Sequence, residues 1–304
     1  MRHDLQKVAV ANAAGMVKSL EEASALLATD VTIVTVGSVK EESWPGNIGE
    51  TYYFDPVSET AWNSKGIPTS GIAATLPWLS VFRHECRAAG KQLCVNIAGS
   101  SPKQYGDLAE ELYSLVDLIE VNAGCPNLWG PGGQEPIASY DPELLSCILT
   151  EVENRITGKC RIAVKISPVG DELIPRLARL FERHELVTSV IAVNTLPNQE
   201  GTREDGSPAL AFRTREGEQT RHQGGMSGSA LKPHGLRVIG GLRDCLGHSR
   251  IRLIGCGGIF TGRDAVDYLD EGADGFAIGT AFFERGPRIF SEVLAGAYEI
   301  VQSR

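Results

Sequence analysis

Leu118-Ile119-Glu120-Val121 running into Asn122-Ala123-Gly124-Cys125-Pro126-Asn127 is a short apolar strand that spills into a loop carrying one thiol between two carboxamides. A carboxamide donates and accepts at once, which suits a planar ring with alternating C=O and N–H groups. A thiol can be tuned into a proton acceptor near neutral pH. Taken alone, the hexapeptide also fits a tight turn around a buried cysteine. The sequence on either side decides between the two.

Working outward, the same pattern of an apolar run closing on a polar or glycine-rich loop recurs. Strands are expected over 8–12, 31–36, 93–97, 118–122, 161–166, 189–194, 251–255 and 275–279. Helices are expected between them, from Ser19 as an N-cap through Ala28, then over 75–89, 102–115, 142–155, 171–184, 232–246 and 262–271. Continuous apolar strands alternating with amphipathic helices imply parallel pairing with both faces covered, and eight such units closing on themselves make an α/β fold, a (β/α)8 TIM barrel. An open doubly wound sheet is the alternative, but the first strand lacks the Gly-x-Gly-x-x-Gly turn and acidic partner of a dinucleotide site. The reading is therefore a single domain over 1–304. Two stretches break the rhythm: a Gly-, Pro- and aromatic-rich loop over 41–71, long enough to carry a small hairpin, and a polar insertion over 195–224, read as a lid or hairpin over the barrel mouth.

Composition narrows the partners. With 304 residues, 42% hydrophobic and 22% charged, the chain is an ordinary globular protein. A formal charge of -9 with no clustered basic face argues against nucleic acid and for a small molecule. Seven cysteines, odd in number and without C-x-x-C spacing, fit reduced thiols and no metal site. No apolar signal region opens the chain and no run of about eighteen apolar residues follows, so no membrane association and a cytoplasmic location are expected.

In such barrels the active site lies at the C-terminal strand ends. Those ends read Asn12, Thr35, Asn96, Asn122, Lys165, Asn194 with Thr195, then Gly255-Cys256-Gly257-Gly258 and Gly279-Thr280. Each such polar group costs a few kcal/mol to bury unpaired, so the set calls for a polar ligand, although any one Asn could cap a helix and Lys165 could reach a carboxylate and solvent. Glycine turns after strands seven and eight mark the usual phosphate corner, and Gly224-Gly225-Met226-Ser227-Gly228 reads as a further glycine turn of that kind. A ring with a phosphate tail suggests FMN, with Lys165 beside the isoalloxazine as a cation for the charge that develops on reduction. The mechanism expected is removal of a proton from one substrate carbon by the Cys125 thiolate while the neighbouring carbon gives hydride to flavin N5, leaving C=C.

Asn122-Ala123-Gly124-Cys125-Pro126-Asn127, Val164-Lys165 with Pro168, Val193-Asn194-Thr195, Gly224-Gly225 with Ser227-Gly228 and Lys232-Pro233, Gly257-Gly258-Ile259 and Gly279-Thr280-Ala281 resemble, in order and spacing, the dihydroorotate dehydrogenase family. The resemblance runs over nearly the whole chain, from Asn12 to Pro287. It implies an FMN-containing barrel that oxidises dihydroorotate to orotate in pyrimidine synthesis, with Cys125 at the base position, as in the soluble class 1 enzymes, and Lys165 at the flavin lysine. Asn63, Asn122, Asn127, Asn194 and Thr195 match substrate-ring positions, and Lys65-Gly66-Ile67 lies where the orotate carboxylate is received. Ala14, Gly15, Asn96, Asn122, Lys165, Val193, Thr195, Ser227, Gly228, Cys256, Gly257, Gly258, Gly279 and Thr280 are the expected cofactor contacts.

This chain also departs from the family pattern. Val36 stands where a lysine usually ends the second strand, an arginine is lost near Glu50, Gly124 replaces a common serine, the loop 128–139 is long, and Lys65 replaces an apolar residue. A homodimer is the assembly the family implies, with an electron-transfer subunit as the alternative. Two other functions compete: a paralogue acting on another dihydropyrimidine or cyclic enamide, and a non-catalytic flavin-binding barrel.

Overall fold

The computed structural model describes residues 3–130, 133–215 and 217–304. Residues 131 and 132 of the long loop 128–139 lie outside the described residues. Eight parallel strands, β1 (Ala9–Asn12), β2 (Ile33–Val39), β3 (Gln92–Ile97), β4 (Leu118–Asn122), β5 (Arg161–Ile166), β6 (Val187–Ala192), β7 (Arg252–Cys256) and β8 (Gly275–Ile278), close in sequential order into a barrel. The fold is the (β/α)8 barrel read from the sequence, and the strand bounds differ from the expected ones by no more than a few residues.

Side-chain alternation explains the two layers. Ala9, Ala11, Ile33, Ala163, Ile191, Ile254, Cys256 and Ala277 form a cluster of mostly small side chains drawn from the strands alone, as the inside of a narrow barrel requires. The neighbouring strand residues Val10, Val34, Val95, Ile119 and Val164 pack with the helices in the larger outer cluster. Val36, 1% exposed, belongs to that outer cluster too, so it contributes to packing and supplies no cation to the mouth.

The helices start where local chemistry lets them. Ser19 and Glu22 make a capping box, as do Thr261 and Asp264, while Ser101 and Asp141 cap helices that open with a proline. The helix expected from Thr75 begins at Ile72 instead, because Gly71 (φ 83°) supplies the turn just before it. The sequence reading did not anticipate Thr280–Arg285 and Ile289–Gln302. The latter packs tightly on Gly262, where a Cβ would come within 2.3 Å of Ala297 N.

Both long insertions contribute strands to one accessory sheet. Tyr52–Asp55 and Thr60–Asn63 form a hairpin, Gln223–Gly228 pairs antiparallel with Thr60–Asn63, and Leu196–Glu200 adds to its far side. Ile48–Glu50 pairs separately with Ala211–Arg213. Gly224–Gly228 is therefore a strand and not the glycine turn expected. Its glycines answer to close approach: a Cβ on Gly225 would fall 2.1 Å from Thr195 Oγ1, and one on Gly224 would fall 2.5 Å from Asn63 O.

The polar strand ends divide into two groups. Asn12 needs no ligand, because its Nδ2 donates to Thr35 O at 2.7 Å and its Oδ1 accepts from Thr35 N at 2.8 Å. β1 and β2 share only one registered pair, Ala11 with Ile33, so the Asn12 side chain completes the seam that closes the barrel. Asn12→Ala would leave two buried backbone groups unpaired, at a cost of roughly 2–5 kcal/mol. The expected result in urea unfolding is a lower midpoint with an unchanged slope.

Candidate active site

A cavity opens at the C-terminal ends of the barrel strands, under the accessory sheet. All of the expected substrate and cofactor residues line it except Asn96. Cys125 and Lys165 meet there with the carboxamides of Asn63, Asn122, Asn127 and Asn194 and the glycine-rich ends of β7 and β8. Asn96 lies lower in the barrel, fully buried, where its Nδ2 donates to Glu120 Oε1 at 2.7 Å. Burial raises the Glu120 carboxyl above its usual range, while Lys165 and Asn96 pull it back down.

The loop that carries the thiol is fixed through its backbone. Asn122 O accepts from Tyr105 Oη at 3.0 Å, Ala123 N donates to Lys165 O at 3.0 Å and Ala123 O accepts from Ser139 N at 2.8 Å. Gly124 O accepts from Ser167 Oγ at 2.9 Å. Successive backbone groups are thus satisfied from three different segments, which leaves the loop little freedom. Gly124 packs against β5: a Cβ there would sit 2.6 Å from both Ile166 C and Ser167 N. That contact accounts for glycine where the family commonly has serine.

The carboxamides are arranged in two linked groups. Asn127 Nδ2 donates to Asn63 Oδ1 at 2.9 Å, and Asn63 Nδ2 donates to Gly225 O at 3.4 Å, which ties the thiol loop to the accessory sheet. Asn194 Nδ2 donates to Asn122 Oδ1 at 3.4 Å, and Asn122 Nδ2 donates to Ser38 Oγ at 3.2 Å. Several of these bonds are long, so the amides have capacity left for a flat polar ring.

Burial pushes the Cys125 thiol above the ordinary thiol range. Three features act against that: the Asn127 backbone N–H, Lys165 and Lys40. Around the rest of the cavity the cations gather. Burial, and next the nearby charge of Lys65, lower Lys18 to about 8, and Lys18 Nζ donates to Pro68 O at 2.6 Å. Lys65 Nζ lies 4.1 Å from the Phe283 ring centroid and 4.9 Å from that of Tyr52, whose hydroxyl bonds Glu284. Burial lowers the Lys65 ammonium, and Glu284 opposes the shift.

Sequence reasoning missed Lys18, Ser38, Tyr52 and Phe283, which line this cavity, and Lys40, which faces Cys125 from another side. Lys18 follows Gly15 by three residues, close enough to have been found by scanning the loops after each strand for cations. Tyr52 and Phe283 reach the mouth only through the accessory sheet and the helix after β8, which no local pattern announced.

The family model described as Dihydroorotate dehydrogenase matches residues 3–301. Among curated relatives, the dihydroorotate dehydrogenase (quinone) of Alkalilimnicola ehrlichii is 30% identical over 93% of this chain and 80% of its own. The dihydroorotate dehydrogenase B (NAD(+)) catalytic subunit of Pyrococcus furiosus is 32% identical over 77% of this chain and 70% of its own. That of Methanocaldococcus jannaschii is 28% identical over 76% and 69%. Among solved structures, the dihydroorotate dehydrogenase of Eimeria tenella in complex with ferulenol superposes with a TM-score of 0.79 at 20% identity, covering 97% of this chain and 81% of that one, which supports the fold.

The donor set also fits a flavin mononucleotide. Thr195 Oγ1, which lines the cavity, is buried with no hydrogen-bond partner, a cost that a ring bearing N–H and C=O groups could relieve. At the phosphate corner, the fully buried Tyr268 fills the space left by Gly235 and Gly255, and its hydroxyl holds Gly257 O at 2.8 Å. Thr280 Oγ1 donates to Ser227 Oγ at 3.0 Å, joining the end of β8 to the accessory sheet. Gly258 has φ 67°, and a Cβ there would come within 2.7 Å of Lys232 Cβ. Gly258→Ala should therefore reduce flavin retention at least tenfold while the far-ultraviolet circular dichroism of the barrel stays the same. Equal flavin content in the purified variant would contradict this assignment.

Proposed function

The chain belongs to the dihydroorotate dehydrogenase family, and from that premise we propose that it is an FMN-dependent dehydrogenase acting on CH–CH groups, oxidising dihydroorotate to orotate in pyrimidine biosynthesis. The observation that carries the proposal is the meeting, in one cavity, of the Cys125 thiol, the Lys165 ammonium, four carboxamides and a glycine-lined corner. FMN, when bound, supplies the two-electron acceptor. The chain supplies the remaining functions.

Cys125 is the proton acceptor, held opposite Lys165 by a loop with little freedom to move. Asn63, Asn122, Asn127 and Asn194, with Thr195, orient the substrate ring through its alternating donors and acceptors. Lys65, Gly66 and Ile67 receive the carboxylate. Ala14, Gly15, Lys165, Val193, Ser227, Gly228, Cys256, Gly257, Gly258, Gly279 and Thr280 hold the cofactor, and Thr195 and Asn122 touch both partners. Asn96 does not line the cavity and is given no part in holding the ring. Within 195–224, Leu196–Glu200 pairs with Gln223–Gly228 and Ala211–Arg213 with Ile48–Glu50, which supports the lid role given to that insertion.

Charge favours an acidic ring over a neutral one. Lys18, Lys65 and Lys165 line the cavity, and no Asp or Glu does among the described residues. The second reading, a paralogue acting on another dihydropyrimidine-like ring, draws on one observation: Val36 packs in the core where the family carries a cation. For assembly we propose a homodimer. Relatives named as catalytic subunits support the alternative of a separate electron-transfer partner. No helix among the described residues is long and apolar enough to cross a membrane, in keeping with the proposed cytoplasmic location.

Anaerobic titration separates these readings: dihydroorotate should bleach the flavin and dihydrouracil should not. The reverse preference would favour the paralogue, and no bleaching by any dihydropyrimidine would favour the non-catalytic barrel. Cys125→Ala should slow bleaching at neutral pH by about 100-fold or more while the protein stays yellow. A wild-type rate would remove Cys125 from the mechanism. The sign of the pH dependence follows from burial of the thiol. A raised pKa leaves little thiolate at neutral pH, so the rate of flavin reduction should climb from about pH 6 to about pH 9 and level only above the ordinary thiol range. A flat profile over that interval would contradict a thiolate base.

A further inference from the structure

Cys125 lies in the wall between two cavities. Together with Gly66, Asn122 and Asn127 it lines both the cofactor cavity and a second one, of about 510 Å³, bounded by Lys40, Trp44 and Asn47 after β2, by 98–102 after β3, and by 135–138. The walls of the second cavity are largely apolar but carry polar groups from Asn47, Ser100, Ser101, Tyr105 and Glu135. At roughly 30 Å³ per water it has room for a cluster of them. With ligand rings filling the cofactor side, the second cavity is the route that would remain for water to reach the sulfur.

Lys40 is an unusual occupant of that cavity. Among the described residues its ammonium makes no ion pair and no hydrogen bond, and it lies 5.0 Å above the Trp44 ring centroid. Other long cations of the chain, such as Lys232 and Arg155, pair with carboxylates. The group whose charge acts on Lys40 is Cys125, and the effect is mutual: thiolate raises the lysine, and ammonium lowers the thiol. The other ionisable groups around the sulfur are Lys165 on β5 and the Tyr105 phenol, while Glu135 shares the second cavity with Lys40.

We propose that Lys40 is a positioning residue for Cys125, stabilising the sulfur's negative charge from the second cavity while Lys165 does so from the cofactor side. The inference rests on Cys125 acting as the base. In the catalytic cycle the substrate C–H proton passes to the sulfur, and the resulting thiol must return that proton to solvent before the next turnover. An ammonium beside the water-facing side of the sulfur favours the thiolate at that stage. Cation stacking on Trp44 alone would give Lys40 a structural role without any effect on the thiol.

The test reads the thiol directly. Full-length wild type, Lys40→Met, Lys40→Gln and Lys40→Arg are alkylated with iodoacetamide across a pH series. Modification is followed on the Cys125 peptide by mass spectrometry, because Cys147 and Cys245 are exposed and will also react. The expected result is an alkylation midpoint about one pH unit higher in both neutral variants, a tenfold slower reaction at neutral pH, with Lys40→Arg close to wild type. The pH–rate profile of flavin reduction should move by the same interval. If neither neutral variant moves the Cys125 midpoint, or if Lys40→Arg moves it as far as Lys40→Met, the inference is overturned. Failure of dihydroorotate to bleach the flavin, with the alkylation shift present, would overturn the proposed function and leave this coupling standing.

Discussion

Under the proposed mechanism the site depends on a thiol that must ionise where burial opposes ionisation. Transfer of Cys125 out of water favours the neutral form, and each pKa unit of that bias corresponds to about 1.4 kcal/mol. The surrounding features act in the opposite direction: the Asn127 N–H, the Lys165 ammonium at the end of β5, and Lys40 across the second cavity. Such opposition works only if the sulfur cannot move away from its partners. The four backbone hydrogen bonds of 122–124, and the absence of a Cβ on Gly124, provide that constraint. A more mobile loop would let the sulfur relax toward a neutral, hydrated state.

The carboxamides come from two frameworks that must be aligned. Asn122 and Asn194 stand at or just beyond the ends of barrel strands, while Asn63 belongs to the accessory sheet built from two insertions far apart in sequence. Asn63 links them by accepting from Asn127 and donating to Gly225. The close contact of Gly225 with Thr195 sets the spacing, since any larger residue would push the sheet off the barrel rim. Ring orientation is thus coupled to how the sheet sits on the barrel.

This division explains what the sequence revealed. Barrel strands and most helices follow a local periodicity, and side chains at strand ends inherit their location from the fold, so Cys125, Lys165, Asn122 and Asn194 could be placed by counting strands. The accessory sheet could not, because the pairing that joins its two halves spans more than 150 positions and Gly224–Gly228 has the composition of a turn. Asn12 looked like a ligand group because its partner, the backbone of Thr35, belongs to a different strand. Lys40 carries no motif. Its relation to Cys125 exists only in the folded chain.

Charge placement extends the same reasoning to the mouth. The chain carries a formal charge of -9, yet three lysines line the cofactor cavity and no carboxylate does among the described residues. Burial first, and then the charge of Lys65, lowers Lys18 to about 8, and Lys18 is kept near Lys65 by its bond to Pro68 O. Gly66-Ile67 lies between Lys65 and Pro68, and Ile67 has φ 52°, a conformation that a β-branched residue adopts only under constraint. Strain and like-charge repulsion thus occur together at one edge of the cavity. An anionic group bound there would relieve the repulsion, so an acidic substrate would gain from binding an electrostatic stabilisation that a neutral ring of the same shape would not.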